Sequence, residues 1–241
     1  MGEMFYRDES GNARDELLWA DILGPDDQMT WDADCWACFP SAGSPAALWP
    51  RLLSDAAKPA ARSDSALDRE RSYQHSYPAF LEYFRTRNIL TSTDVVVAAN
   101  FTYAWMPRIA ILNSEALPKA VEALNAARRA DCASELHVRA VGRYLGGSLV
   151  AASKLLHFAA PHLYAIWDTR VARYLGIHTF AHGLDAGLPI YRAYLCLLRD
   201  LLSYPEAAEL EAILSRSAEW LPMPLRQVEH VMFRSAADDR A

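Results

Sequence analysis

The sequence predicts an all-α fold made of short helices that prolines separate. From about residue 67 onward, apolar residues recur at helical spacing almost everywhere. The only run of β-branched residues, Val95–Val97, continues into two alanines without the alternation typical of a strand, and no Asn-Gly or Asp-Gly turn joins two alternating segments. Prolines fall between the apolar segments, where they can begin or end a helix; these are Pro107, Pro118, Pro161, Pro189, Pro205 and Pro222.

The N-terminal part of the chain differs in composition from the rest. The first forty residues are acidic, with one short helical segment at residues 15–23. Residues 41–66 are rich in Ser, Pro and Ala and predict irregular chain, apart from a turn or two at residues 46–53. We therefore expect a partly irregular N-terminal extension over residues 1–66.

Residues 67–241 are expected to form one all-α domain, which contains a helical hairpin at residues 134–160 and an aspartate-bearing segment at residues 165–176. No internal repeat of solenoid period is visible. The candidate helices cover residues 67–87, 93–106, 116–131, 134–145, 147–160, 168–176, 189–203, 205–219 and 223–234.

Length and composition exclude several classes of protein. The chain has 241 residues, of which 52% are apolar and 22% charged, an ordinary balance for a globular protein. No run of about 18 apolar residues is present, so no membrane span is expected. The N-terminus has no basic segment followed by an apolar one, and Tyr6 argues against myristoylation. We expect a soluble, cytoplasmic monomer without a membrane partner.

The net charge of −6 conceals an uneven distribution of charge along the chain. Residues 1–34 carry two arginines against ten acids, whereas residues 126–174 carry seven basic residues against three acids. Binding to nucleic acid follows local charge, so an acidic average does not exclude it. Lysine is rare, and only Lys58, Lys119 and Lys154 are present.

Cysteine and histidine patterns do not predict a metal site. Cys35 and Cys38 form a single C-x-x-C motif without a second half at zinc-ligand spacing, so we interpret them as ordinary thiols. His178 and His182 are four residues apart near Asp185, but the glycines around them favour a solvated turn. We expect no metal and no cofactor.

A glycine turn at residues 146–147 is the first feature that predicts a specific function. It joins a helix with basic residues, 134–145, to a second predicted helix, 147–160. Glycines allow close approach of the backbone to a partner, and the positive end of the second helix attracts an anion. Together with the surrounding arginines, the turn predicts a site that binds a DNA phosphate. In the alternative interpretation, the glycines only end the first helix. The arginines are Arg139, Arg143, Arg170 and Arg173.

Asp168 lies at the start of a predicted helix, in the apolar frame of Ile166, Trp167 and Val171. An aspartate in this position is most often an N-cap. Because it follows a hairpin that could hold DNA, it could also face the anomeric carbon of a nucleotide rotated out of the duplex. Both interpretations remain open from the residues alone.

Residues 139–176 resemble the helix-hairpin-helix DNA glycosylase superfamily. Its hairpin is roughly L-P-G-V-G-x-K-T-A, and its catalytic acid lies in V-D-T-H-V-x-R-x-x-x-R-L-G. Without gaps, the two hairpin glycines fall on Gly146 and Ser148, and the catalytic aspartate falls on Asp168. The phrases Ser-Lys-x-x-His-Phe-x-x-Pro and Ile-Trp-Asp-x-x-Val are most similar to the bacterial 8-oxoguanine DNA glycosylase-like branch. The resemblance extends weakly to residues 103–107 and 226–233.

The chain departs from the superfamily pattern at three places. Ser148 replaces the second glycine, and no cysteine follows Cys196, so the iron–sulfur loop of some relatives is missing. The lysine that forms a Schiff base in bifunctional members falls on Val150. Lys154 lies one helical turn further along the same face, where it could serve as the amine nucleophile, contact a phosphate or pair with an acid.

The resemblance implies a DNA glycosylase acting on double-stranded DNA that contains a damaged or modified base. Its catalytic residues would be Asp168 and Lys154, with lyase activity at Lys154 left open. Its DNA-binding residues would be Arg143, Gly146, Gly147, Ser148, Arg170 and Arg173. The base pocket would draw on aromatic side chains, each of which is also typical of a core: Tyr103, Trp105, His157, Phe158 and Trp167.

Oxidised purines are the superfamily's usual substrates, but the sequence does not decide between base-excision repair and antiviral defence against modified phage DNA. Two other classes of function remain open. One is a helix-hairpin-helix DNA-binding module without catalysis. The other is an α-helical interaction protein whose acidic N-terminus binds a basic partner or covers its own DNA groove.

Overall fold

The computed structural model describes residues 33–39, 41–58, 64–105, 110–177, 183–216, 218 and 220–238. Within these residues the fold is helical and contains no β-strand, so the predicted all-α class is confirmed. The α-helices are α1 Pro45–Ala57, α2 Asp64–Arg85, α3 Ser92–Ala104, α4 Leu117–Ala127, α5 Glu135–Tyr144, α6 Leu149–Ala159, α7 Thr169–Tyr174, α8 Leu184–Leu202, α9 Glu206–Leu214 and α10 Pro224–Asp238. Two 3₁₀ helices cover Ala33–Cys38 and Ser114–Ala116.

Helix α1 is longer than the turn or two expected at residues 46–53 of the otherwise irregular segment 41–66. Its N-cap is Ser44, whose hydroxyl accepts a hydrogen bond from the amide of Ala47 at 3.3 Å. Its buried side chains include Leu48, Trp49 and Leu52, which join the same core as the later helices. The folded body therefore includes this helix. The predicted segment at residues 15–23 lies outside the described residues.

Helix α8 begins earlier than the sequence predicts, at Leu184 instead of residue 189. Pro189 was expected at a helix boundary, but it lies inside α8. Its ring removes one backbone donor from the helix. The helix tolerates this because most of its inner face packs in the core, including Tyr191, Tyr194 and Leu198.

Helix α6 is the central element of the fold. It packs against α2, α3, α4, α5 and α8, and ten of its side chains, from Leu149 to Ala159, are buried. A helix surrounded in this way is apolar on nearly all faces. The polar side chains that α6 carries, Ser153, Lys154 and His157, are therefore placed inside the molecule. Within the described part of the chain, no helix is long and apolar enough to span a membrane.

Candidate active site

The chain between α6 and α7 is held in place by three buried side chains. Ser153 Oγ accepts a hydrogen bond from the amide of Trp167 at 3.0 Å. His157 Nδ1 contacts the carbonyl oxygen of Tyr164 at 2.7 Å, and the Tyr191 hydroxyl donates to the carbonyl of Ala165 at 2.9 Å. Because two of these anchors lie on α6, they fix the position of the next residue relative to that helix.

That next residue is Asp168, which caps α7. Its Oδ1 accepts hydrogen bonds from the amides of Arg170 at 2.9 Å and Val171 at 3.1 Å. The N-cap interpretation therefore describes the local structure. Oδ2 makes no hydrogen bond within the described residues, and Asp168 also lines a cavity. One carboxylate can thus cap the helix and present its second oxygen to a ligand.

The cavity has a volume of about 530 Å³. It lies between α2, α3, α6, α7 and α10, with Ile166 contributed by the segment that precedes Asp168. This volume is within the range of sites that hold small organic molecules. Its lining consists of Ser72, Tyr73, Ala104, Trp105, Lys154, Ile166, Asp168, Arg170, Arg226, Glu229 and Phe233.

Lys154 reaches the cavity from α6 and is only 8% exposed. The pKa of its amine is lowered to about 8, chiefly by burial; the Asp168 carboxylate acts to raise this pKa, and Arg226 acts to lower it. Within the described residues the amine has no hydrogen-bond or ion-pair partner. A buried lysine with a lowered pKa supplies more neutral amine near pH 7 than an exposed lysine. Val150, where the superfamily lysine would fall, is half-buried and does not line the cavity.

Helix α10 closes the cavity with a buried ion pair between Arg226 and Glu229. Burial lowers the pKa of Arg226, while Tyr77 and Asp168 raise it. Neither residue was predicted individually as a site residue, although the weak resemblance over residues 226–233 covers both. Their spacing of three residues was the available signal, because it places two opposite charges on one helix face.

Of the five aromatic residues predicted for a base pocket, only Trp105 lines the cavity. Tyr103 is buried, and its hydroxyl donates to the carbonyl of Leu145 at 3.1 Å. Phe158 is 1% exposed and packs edge-on against Trp105. Trp167 is 1% exposed and lies against Tyr194. These three side chains belong to the core and do not line the cavity, whereas Tyr73 and Phe233 contribute to its wall.

His157 also lies in the core and not in the cavity wall. Its Nδ1 must donate, because the carbonyl oxygen of Tyr164 only accepts. Its Nε2 therefore accepts from the Tyr77 hydroxyl at 2.8 Å. Burial lowers the pKa of His157 to about 3, with a further contribution from Arg226. The ring is neutral at physiological pH and supports Tyr77, which stacks beneath Trp105.

The glycine turn has the geometry expected of a helical hairpin between α5 and α6. Gly146 and Gly147 have φ values of +64° and +75°, in the region that favours glycine. The Ser148 hydroxyl caps α6 by accepting from the amide of Ala151 at 3.2 Å. The carbonyl of Gly147 accepts from the amide of Leu184 at 2.8 Å, which ties the turn to the start of α8.

The predicted DNA-binding arginines occupy different environments. Arg143 is exposed near the hairpin, and Arg173 is half-buried on α7. Arg170 turns into the cavity, with its guanidinium 4.6 Å from the Phe233 ring centroid. Arg139 pairs with Glu135 and Asp185, so much of its charge is compensated.

The described residues contain no group of three or more His, Cys, Asp or Glu side chains placed to hold a metal ion. Cys38, Cys132 and Cys196 are free thiols. His178 and His182, whose spacing resembles that of metal ligands, lie outside the described residues. Comparison with family models, with curated proteins and with solved structures gives no significant match.

Proposed function

We propose that this protein is a DNA glycosylase that cleaves the N-glycosidic bond of a damaged or modified base rotated out of double-stranded DNA. The observation that carries the proposal is the cavity itself, where the free Oδ2 of Asp168 and the partnerless amine of Lys154 lie together. A carboxylate can stabilise the positive charge that develops at the sugar, and a buried amine with a lowered pKa can act there as a nucleophile. The hairpin and the exposed Arg143 lie on the chain just before them.

In the hydrolytic route, the bond between C1′ and the base nitrogen breaks and its electron pair leaves with the base. The positive charge that develops at C1′ is stabilised by the ionised Asp168. Water then forms the new bond to C1′ and gives its proton to Asp168, while the departing base takes up a proton from solvent. The products are the free base and an abasic site.

In the alternative route, the neutral amine of Lys154 forms the bond to C1′ as the base leaves. The nitrogen gives a proton to Asp168, the C1′–O4′ bond breaks as O4′ takes up a proton to become a hydroxyl, and the nitrogen lone pair forms the imine with C1′. Borohydride donates a hydride to this imine and leaves a stable covalent link to DNA. Trapping therefore distinguishes amine chemistry from attack by water.

The test is abasic-site formation on a panel of duplexes that each carry a different oxidised, deaminated or otherwise modified base. Asp168→Asn is expected to retain DNA binding and lose base release, because the amide keeps the cap but not the negative charge. The matched control is Asp131→Asn, since Asp131 is exposed and does not line the cavity. Unchanged release by Asp168→Asn would refute the assignment.

The panel also tests the alternative of a DNA-binding module without catalysis. Ser148 in place of a glycine and Val150 in place of the superfamily lysine favour that alternative. Binding to every duplex without release from any would support it against the proposed enzyme.

A further inference from the structure

The C-terminal end of α1 contacts two helices that line the cavity, although α1 contributes no residue to the cavity lining. Tyr174, the last residue of α7, donates its hydroxyl hydrogen to Oδ2 of Asp55 at 2.9 Å. Arg234 of α10 donates to the backbone carbonyl oxygens of Asp55 at 2.8 Å and Ala56 at 3.1 Å. Asp55 therefore binds α7 through its side chain and α10 through its backbone.

The Asp55 carboxylate is buried, with 6% of the residue exposed. Its Oδ1 accepts from the Lys58 amine at 2.6 Å, and Nε of Arg51 lies 3.9 Å from Oδ2. Burying a carboxylate costs free energy unless it is paired and hydrogen-bonded, and these partners offset that cost. Burial, followed by the Asp55 carboxylate, raises the pKa of the Tyr174 hydroxyl, so this group remains a donor at physiological pH.

Arg51 adds further contacts to the same end of α7. Its Nη1 donates to the carbonyl oxygen of Tyr174 at 3.1 Å, and its guanidinium carbon lies 3.8 Å from the centroid of the Tyr174 ring. A cation over an aromatic ring at this distance is attracted to it. The end of α7 is therefore held at the hydroxyl, the ring and the backbone of one buried tyrosine.

The direction of α7 determines how the Asp168 carboxylate is turned. Oδ1 accepts from the amides of Arg170 and Val171, so the carboxylate turns with the helix. A helix of six residues does not hold its direction without tertiary contacts. The hydrogen bonds from α6 fix the chain before Asp168 and not the helix after it. The contacts at Tyr174 supply the second fixed point.

The contacts of Asp55 also set the spacing between α7 and α10 at the cavity wall. Arg234 directly follows Phe233, which lines the cavity. On the other helix, the Arg170 guanidinium lies 4.6 Å from the centroid of the Phe233 ring. Because Asp55 is bonded to both helices, it fixes Asp168 and Phe233 relative to each other.

We propose that Asp55 is a positioning residue, which holds the Asp168 carboxylate in its orientation at the cavity through the hydrogen bond to Tyr174. Asp55 does not line the cavity, so it acts through α7 and not on the substrate. It also lies outside residues 139–176, which resemble the glycosylase superfamily. The inference rests on the proposed glycosylase activity for the reaction that Asp168 assists. It makes α1 part of the functional unit.

The first test measures amide hydrogen exchange, which requires no catalysis. Tyr174→Phe removes the hydroxyl and keeps the ring. We expect about tenfold faster exchange at the amides of Arg170 and Val171, which donate to Oδ1 of Asp168, and unchanged exchange in α4. Unchanged exchange at these two amides would overturn the proposal. Acceleration of equal size in α4 would show general destabilisation and would overturn it as well.

Tyr83→Phe is the matched control for the loss of a tyrosine hydroxyl. The Tyr83 hydroxyl also donates to an aspartate, at 3.2 Å from Oδ1 of Asp94, and neither residue lines the cavity. This variant should leave the exchange of the Arg170 and Val171 amides unchanged. Faster exchange in the control would mean that any lost hydroxyl loosens α7, which would contradict a specific role for Asp55.

The second test separates positioning from binding. In Tyr174→Phe, the single-turnover rate of base release should fall about tenfold, because small displacements at a reacting centre are costly. Affinity for a duplex with a 2′-fluoro nucleotide, which resists cleavage, should not change. Asp55→Leu and the double variant should show the same loss, because all three proteins lack the same hydrogen bond. Asp55→Asn keeps an acceptor and should stay within about threefold of wild type.

The rate measurements can also overturn the proposal. Losses that multiply in the double variant would show that Asp55 and Tyr174 act independently. Equal losses of affinity and rate would show a structural role, and a wild-type rate with faster exchange at the α7 cap would show that the orientation does not matter. If the protein releases no base from any duplex, the glycosylase activity is refuted, and the exchange measurements still decide whether Asp55 holds Asp168.

Discussion

Lys154 should destabilise the fold at neutral pH, so its replacement by methionine should stabilise the protein. Burial lowers the pKa of this amine from its ordinary 10.5 to about 8. This difference corresponds to about 3 kcal/mol by which the folded site disfavours the protonated amine. Methionine has a similar length and no charge. We expect Lys154→Met to raise the free energy of unfolding at pH 7 by about 1–3 kcal/mol.

The advantage of Lys154→Met should shrink as the pH rises. Between pH 8 and pH 10.5 the folded protein has released the Lys154 proton, whereas the unfolded chain still holds it. The stability of the wild-type protein therefore rises over this interval, by about 1.4 kcal/mol per pH unit relative to the variant. Urea unfolding followed by tryptophan fluorescence at pH 7, 8.5 and 10 measures this difference.

Lys119→Met is the matched control. The Lys119 side chain is 53% exposed, and its amine lies 3.5 Å from a Glu122 carboxylate oxygen. Its replacement should change the free energy of unfolding by less than about 0.5 kcal/mol at each pH. A Lys154→Met variant less stable than wild type at pH 7, or an advantage that stays constant from pH 7 to pH 10, would refute the reasoning.

Three further predictions concern the hairpin and the core. Gly146→Ala should lower the free energy of unfolding in urea by about 1–2 kcal/mol, because φ is +64° and a Cβ would lie 3.0 Å from the Ile111 carbonyl oxygen. The control is Gly183→Ala, where φ is −71° and a Cβ would have no atom within 4 Å. This variant should change the free energy of unfolding by less than about 0.5 kcal/mol. Nitrogen NMR should show His157 neutral, with its proton on Nδ1, from pH 5 to pH 8. Because its pKa is lowered to about 3, the stability of the protein should fall as the pH falls below 6.5, where only the unfolded chain binds the proton. Titration of this ring near pH 6.5 would contradict the prediction. Arg143→Ala should reduce the slope of log affinity for DNA against log salt by about 1, whereas an unchanged slope would mean that Arg143 does not contact phosphate.

The hairpin geometry and the neighbourhood of Asp168 could be predicted because local sequence determines both. Two consecutive glycines between two apolar segments predict a turn, and the structure has positive φ at Gly146 and Gly147. The cap that the Ser148 hydroxyl provides for α6 was not predicted. Asp168 before a short amphipathic segment predicts a helix start, and its Oδ1 caps α7. Features set by hydrogen bonds within a few residues depend little on the rest of the fold.

Features that depend on tertiary packing could not be predicted from local patterns. Only a turn or two of helix α1 was predicted, because the prolines and serines around it conceal the spacing of Leu48, Trp49 and Leu52, which become apolar contacts only when the core assembles. An i,i+3 pair of opposite charges is normally solvated, and only the position of α10 over the cavity buries Arg226 and Glu229. Aromatic residues at helical spacing fit a core and a pocket equally well, so the spacing of Tyr103 and Phe158 did not reveal that both lie in the core.

The central claim is tested most directly by the quantity of free base released from duplex DNA, determined by mass spectrometry. The wild-type protein and Asp168→Asn are compared at equal occupancy of the duplex. The wild-type protein should release one base per abasic site formed. Asp168→Asn should release at least about 100-fold less at the same thermal stability, because its amide keeps the α7 cap but cannot stabilise the developing cation. Equal release by the two proteins, or release by neither from any modified duplex, would contradict the account.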